Sequence, residues 1–160
     1  MLKIETKRGF SELPEILARY KANRLRVVRQ VRYSLHNQNC LDLVLFLNGI
    51  PVATAEIKNH LTGQTAEDAK AQYRRDRDPR NALLRRAIVH FAVDTEQVFM
   101  TTRLSGDSTR FLPFNRGDGD RAGNPSRAGY RTGYLWEEVW QRDAWLDLLA
   151  RFVLTTTDAN

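Results

Sequence analysis

Two apolar runs meet at Asn48-Gly49, and nothing else in the chain limits its fold so tightly. The stretch LDLVLFLNGIPVATAEIKN has, on each side of that pair, the length and the β-branched or aromatic content of a strand. Asn-Gly is the strongest short hairpin signal, because both residues accept the positive φ of a tight two-residue turn. Side chains alternate along a strand, so Glu56 and Lys58 project from the same side, about 7 Å apart at a rise of roughly 3.3–3.4 Å per residue. Folding the hairpin brings Asp42 back beside Glu56. Two carboxylates and an ammonium then converge at the end of an otherwise apolar sheet, where charges are rarely buried without a partner or a metal.

Register places a demand on this reading. A two-residue turn pairs Leu47 with Ile50 and sets Asp42 opposite Ala55, which would turn Asp42 and Glu56 to opposite faces. For the two carboxylates to meet, either the loop has three residues with a bulge at Gly49, or one strand contains a bulge. The second arrangement is the one expected here.

Two carboxylates suit a hard divalent cation such as Mg²⁺, which keeps several waters and takes few protein ligands. Such a cation lowers the pKa of a bound water and offsets charge building on a phosphoryl group. Lys58 would orient the attacking water or stabilise the same charge. The competing reading is a cross-strand ion pair of Asp42 with Lys58 on a solvated face, with Glu56 exposed. The apolar neighbours Val44, Phe46, Ala55 and Ile57 favour the buried site, because a surface strand alternates more cleanly with polar residues.

At 160 residues the chain fits one domain with a single core. No apolar run approaches the roughly 18 residues of a membrane span, the N-terminus has no signal-peptide core, and the sole cysteine, Cys40, excludes an internal disulfide and a cysteine-based zinc site. A cytoplasmic protein with no membrane association is the expectation. The net charge of +6 suggests a polyanionic partner. Residues 1–60 carry ten Lys/Arg against five Asp/Glu, whereas residues 111–160 carry six against seven. The basic excess thus lies on the segment that contains the carboxylates, as suits a nuclease that must draw phosphates toward acidic ligands.

Along the chain, Ser11 followed by Glu-Leu-Pro-Glu starts a helix that ends near Asn23. Residues 25–35 read as a strand, 36–39 as a turn, and 41–58 as the hairpin. Thr65 caps a helix that stops before Pro79. Strands are expected over 87–94, 96–104 and 109–114. Residues 115–133 hold five glycines and one proline without apolar periodicity, a long loop that is mobile or partner-bound. Residues 135–154 read as one amphipathic helix. The helix after the hairpin crowds Gln72, Tyr73, Arg74, Arg75 and Arg77 onto its C-terminal half. They form either a solvated face whose cations favour the negative dipole end, or a DNA-contacting face with Tyr73 stacking or packing. The three histidines, His36, His60 and His90, lack metal-ligand spacing, no serine stands in a nucleophile elbow, and the glycine loop lacks a Gly-Lys-Ser/Thr ending.

The arrangement Asp42…Glu56-Ile57-Lys58 resembles the PD-(D/E)xK nuclease motif. Beyond it, FLNGIPVATAEIKN, LTGQTAEDAKAQYRRDRDP, HFAVDTEQVFMTTRLSG, TRFLPFNRG, GNP and YLWEEVWQRDAWLDLLARF resemble the N-terminal endonuclease region of the restriction (R) subunits of type I restriction-modification enzymes. The likeness runs from about residue 41 to 153, and its FLPFNRG and YLWEEVWQRD blocks are far more specific than the three-residue motif. It implies a restriction-endonuclease-like α/β fold, a central mixed β-sheet flanked by helices, and Mg²⁺-dependent hydrolysis of double-stranded DNA. It also implies that Asp42, Glu56 and the Ile57 carbonyl bind the metal, that Lys58 serves the nucleophile, and that the Gln72–Tyr73 helix supports cleavage and DNA engagement. Leu41 stands where the motif's proline often sits. A Gln-x-x-x-Tyr pattern is absent, since Gln72 is followed directly by Tyr73 and Asp76 lies four residues on. Full R subunits carry an ATP-driven motor whose motifs are missing here, so the chain reads as a single nuclease domain cut from a longer subunit and is expected not to hydrolyse ATP. Modification and specificity subunits are the implied partners. The alternatives are a free-standing repair or recombination nuclease of the same superfamily, and a non-catalytic DNA-binding or assembly module.

Overall fold

The computed structural model describes residues 14–153. They divide into two compact units, one spanning Arg24–Gly133 and the other combining the segment up to Asn23 with that from Tyr134 onward.

The larger unit is built on a six-stranded sheet in sequence order: β1 (Leu25–Arg32), β2 (Cys40–Leu47), β3 (Ile50–Ile57), β4 (Val89–Val93), β5 (Val98–Thr101) and β6 (Leu112–Pro113). Only β3 and β4 run parallel; every other neighbouring pair is antiparallel. Parallel neighbours need a long crossover, and here it carries α2 (Ala66–Arg75) and the short α3 (Ala82–Arg86). α2 packs on β3 and β4, and α3 on β3. All five residues of β4 are buried, as the near-continuous apolar run of a covered central strand requires. The result is the mixed α/β sheet with helices that the sequence implied. The helix α3 was not anticipated: five residues are too few for a periodic signal, and Asn81 starts it by accepting a hydrogen bond from Leu83 N at 3.0 Å.

The β2–β3 turn is the two-residue type expected. Asn48 and Gly49 have φ of 52° and 84°, and Leu47 pairs with Ile50. Pairing then shifts: Phe46 faces Pro51, but Leu45 faces Ala53, so Val52 is an extra residue in β3. Pro51 has no N–H to give the ladder, which makes the neighbourhood of a break its natural place in a central strand. Beyond the bulge Leu43 opposes Ala55, which brings Asp42 to Glu56.

α2 begins as read. Thr65 is its N-cap, and Asp68 accepts from Thr65 N at 2.7 Å. A second carboxylate reinforces that start: Asp94, at the end of β4 and buried, accepts from Ala66 N at 2.7 Å. The other Asp94 oxygen accepts from Glu96 N and Gln97 N, so one side chain shapes both the helix start and the β4–β5 turn. The long loop over 115–133 is anchored at Asn124. Asn124 is buried, donates to Glu96 O and Asn115 Oδ1, and accepts from Arg116 N.

In the smaller unit α1 spans Pro14–Ala22; the expected Ser11 cap lies outside the described residues. The C-terminal segment is not one helix. A single π-type turn over Leu135–Val139 closes with Trp140 N on Leu135 O, Gln141 is extended, and α4 (Arg142–Arg151) follows. Arg142 Nη2 donates to Tyr20 O at 2.9 Å, with its guanidinium over the Tyr20 ring. Among the described residues no helix is long and apolar enough to cross a membrane.

Candidate active site

The two carboxylates of the hairpin are each held by protein donors. Asp42 Oδ2 accepts from Ile57 N at 2.8 Å, and Asp42 Oδ1 accepts from Gln30 Nε2 at 3.0 Å. Glu56 is wholly buried, and its Oε1 accepts from both Nε and Nη2 of Arg77, each at 2.6 Å. Arg77 Nη2 also donates to Cys40 O at 2.9 Å. The other Glu56 oxygen, Oε2, is buried without a hydrogen-bond partner. Burial pushes the Glu56 carboxyl up to about 7; the Arg77 guanidinium opposes that rise, and the adjacent Asp42 carboxylate adds to it by charge and by its capacity to share a proton.

An orphaned buried carboxylate oxygen is costly unless something positive or protic meets it. A divalent cation satisfies that need, and hard carboxylate donors are what Mg²⁺ takes. Among the described residues no group of three or more His, Cys, Asp or Glu side chains forms a ligand cluster. A cation here would therefore rest on Asp42, Glu56 and main-chain oxygen such as that of Ile57, with water completing its shell. The residues fit a metal of the Mg²⁺ kind.

Lys58 lies one step past β3, and its N–H extends the β3–β4 ladder by donating to Val93 O at 2.8 Å. Continued alternation puts its side chain on the Glu56 side. The Asp68 carboxyl is held below its ordinary range first by the Thr65 N–H, with the Lys58 charge contributing.

The Gln72–Arg77 group divides between buried and accessible positions. Tyr73 is fully buried and cannot stack on a base: its hydroxyl bonds Thr54 Oγ1 at 2.7 Å, and Thr54 Oγ1 also meets His90 Nδ1 at 2.8 Å. Arg77 is likewise buried and neutralises Glu56, so its charge is not offered to a phosphate. Both corrections have one cause. Ala66, Ala69, Lys70, Tyr73 and Arg77 recur at helical spacing and form the buried stripe of the segment. Arg75 is exposed, whereas Arg74 is partly covered, with Nε on Thr109 O at 3.2 Å and its guanidinium over Phe111. Gln72 is partly buried, with Oε1 lacking a partner. The spacing of Tyr73 and Arg77, four apart and in line with two alanines, is the signal that would have identified them.

One further residue was not read from the sequence. Gln30, on the edge strand β1, touches Asp42 from the far side of the hairpin, and no local pattern marks it. His60, which lacks metal-ligand spacing, bonds Asp94 Oδ2 at 2.9 Å.

No curated protein matches the chain. The family described as type I restriction enzyme R protein N terminus matches residues 17–109, more than half of the sequence, and the chain belongs to that family.

Proposed function

We propose that the chain is the Mg²⁺-dependent endonuclease region of a type I restriction subunit, hydrolysing phosphodiester bonds of double-stranded DNA alongside modification and specificity subunits. The observation that carries this reading is the meeting of Asp42 and Glu56 across the Val52 bulge, with one buried Glu56 oxygen left without a donor.

Asp42, Glu56 and the Ile57 carbonyl would hold the cation. When bound, Mg²⁺ supplies a lowered pKa for a water molecule and a counter-charge for the phosphoryl oxygens. The chain's own residues do the rest. Ile57 N orients Asp42, and Arg77 holds Glu56 so that Oε2 remains available. Lys58, on the Glu56 side of the strand by alternation, would steady the nucleophile or the charge that develops. Arg75 and Arg74, with the arginines of β1, draw the DNA backbone toward a site whose carboxylates would otherwise repel it.

Nicking of supercoiled plasmid tests the proposal, comparing the wild type with Asp42→Ala and Lys58→Ala. Mg²⁺-dependent nicking in the wild type should vanish in both variants. Equal activity in all three would refute the assignment. A second reading, a non-catalytic assembly module, draws on the Arg77–Glu56 pair, which already neutralises one of the two carboxylates. It predicts that Mg²⁺ neither raises the thermal unfolding midpoint nor supports nicking, since a ligand stabilises only the state that binds it.

A further inference from the structure

Gln30 combines three features that have no use in an ordinary edge strand. Its φ is 51°, one of two positive values among the non-glycine residues described; the other belongs to Asn48 in the hairpin turn. A side chain with a Cβ disfavours that region, and such strain persists only where the surroundings over-determine it. The β1–β2 ladder runs regularly on both sides, with Arg29 opposite Leu43 and Val31 opposite Leu41, so no bulge forces the conformation. Finally, the Gln30 side chain is bonded at both ends. Nε2 donates to Asp42 Oδ1 at 3.0 Å, and Oε1 accepts from Cys40 Sγ at 3.0 Å. The thiol donor meets the oxygen and the carboxylate takes the amide N–H, so the chemistry of the two partners permits only this orientation.

We infer that Gln30 is a positioning residue for Asp42: a strained backbone aims its amide so that the Asp42 carboxylate is held ready for a divalent cation. The inference rests on the metal-site reading above and adds to it a residue outside the hairpin. With Oδ2 fixed by Ile57 N and Oδ1 fixed by Gln30, the carboxylate has no rotational freedom left. Its remaining lone pairs then face the Glu56 side without a reorganisation cost on binding. Gln30 is exposed, so its side chain contributes little to packing. Partners of this kind that orient metal ligands are worth about 10–100-fold in metal affinity.

Because strain and positioning belong to the same residue, they can be separated by substitution. Glycine accepts a φ of 51° without the Cβ penalty but has no amide side chain. Calorimetric titration with Mn²⁺, run beside thermal unfolding in chelator, compares the wild type with Gln30→Gly, Gln30→Leu and Asp42→Asn. Gln30→Gly should unfold at the wild-type temperature or above it, yet bind Mn²⁺ about 10–100-fold more weakly. Gln30→Leu, which keeps the strain and loses both polar ends, should lose the same affinity and unfold at a lower temperature. If Gln30→Gly binds Mn²⁺ like the wild type while Asp42→Asn does not bind, the positioning role is overturned and the metal site stands. A Gln30→Gly variant that loses stability together with affinity also overturns it, since that is the mark of a merely structural residue. Wild type and Asp42→Asn binding equally would overturn the metal site and this inference at once.

Discussion

Replacing Arg77 by methionine exposes the energetics of the buried pair directly. The variant keeps most of the side-chain volume, removes both guanidinium bonds to Glu56 Oε1, and frees the Cys40 carbonyl. The side chains of Arg77 and Glu56 are 2% and 0% exposed, so water cannot replace what is lost. Breaking one partner of such a pair costs about 3–5 kcal/mol. That cost has an escape route, because a carboxyl stranded in low dielectric takes up a proton. Burial already pushes Glu56 to about 7 with Arg77 present, and removing the cation raises it further. A carboxyl raised in the folded state favours folding at low pH and loses that contribution as pH rises through the folded value. Between the wild-type and variant values, the variant therefore loses about 1.4 kcal/mol per pH unit relative to the wild type. Urea unfolding in metal-free buffer should show Arg77→Met costing about 1–2 kcal/mol at pH 5.5 and about 3–5 kcal/mol at pH 8.5. The double variant Glu56→Leu/Arg77→Met should recover to within about 1 kcal/mol of the wild type at pH 8.5, since replacing a whole buried pair by apolar groups is close to neutral. A pH-independent cost, or a double variant as unstable as the sum of the singles, would refute the claim that the pair is isolated from solvent and mutually dependent.

His90 supplies a pH effect of opposite sign. Burial lowers its pKa to about 4, so the unfolded chain takes up the proton first, and stability should fall by about 3 kcal/mol as pH drops from roughly 6.5 to 4. His90→Asn should flatten that part of the urea-midpoint profile relative to the wild type. Asp94→Ala removes the acceptor for Ala66 N, Glu96 N and Gln97 N, and should cost about 2–4 kcal/mol in urea unfolding, at about 1–3 kcal/mol for each unsatisfied buried donor, less where water reaches the turn. Gly49→Val meets no atom within 4 Å of its new Cβ, but φ there is 84°. The loss should be conformational only, about 1–2 kcal/mol in thermal unfolding, with Mg²⁺ dependence unchanged.

The hairpin and its carboxylates were legible because each rests on a local rule. Asn48-Gly49 specifies the turn, a period of two assigns faces, and the parity conflict between Asp42 and Glu56 requires a bulge. Pro51, beside the break, is a signal that could have located the bulge. Arg77 was misread because six ionisable residues in 74–80 mimic a solvated surface, while the stripe that buries it depends on weak apolar steps at Ala66 and Ala69. Gln30 was illegible for another reason: its role comes from a backbone angle and from neighbours ten and twelve residues away, and neither leaves a trace in local composition. The break at Gln141 likewise falls inside an unbroken apolar periodicity. Periodicity reports which residues want burial, but not whether one rod or two deliver them.

The position of Val52 has a consequence for how this hairpin can vary. Pairing from Leu43 to Ala55 is set on the far side of the irregularity from the tip. Lengthening or trimming the tip by whole residues can be absorbed between Leu45 and Ala53 without disturbing the acidic pair. One residue gained or lost between Ala53 and Glu56 has no such buffer, and would swing position 56 through half a turn onto the opposite surface. Changes at the tip thus fall across the bulge from the acidic pair, while an insertion within the four residues from Ala53 to Glu56 would separate that pair.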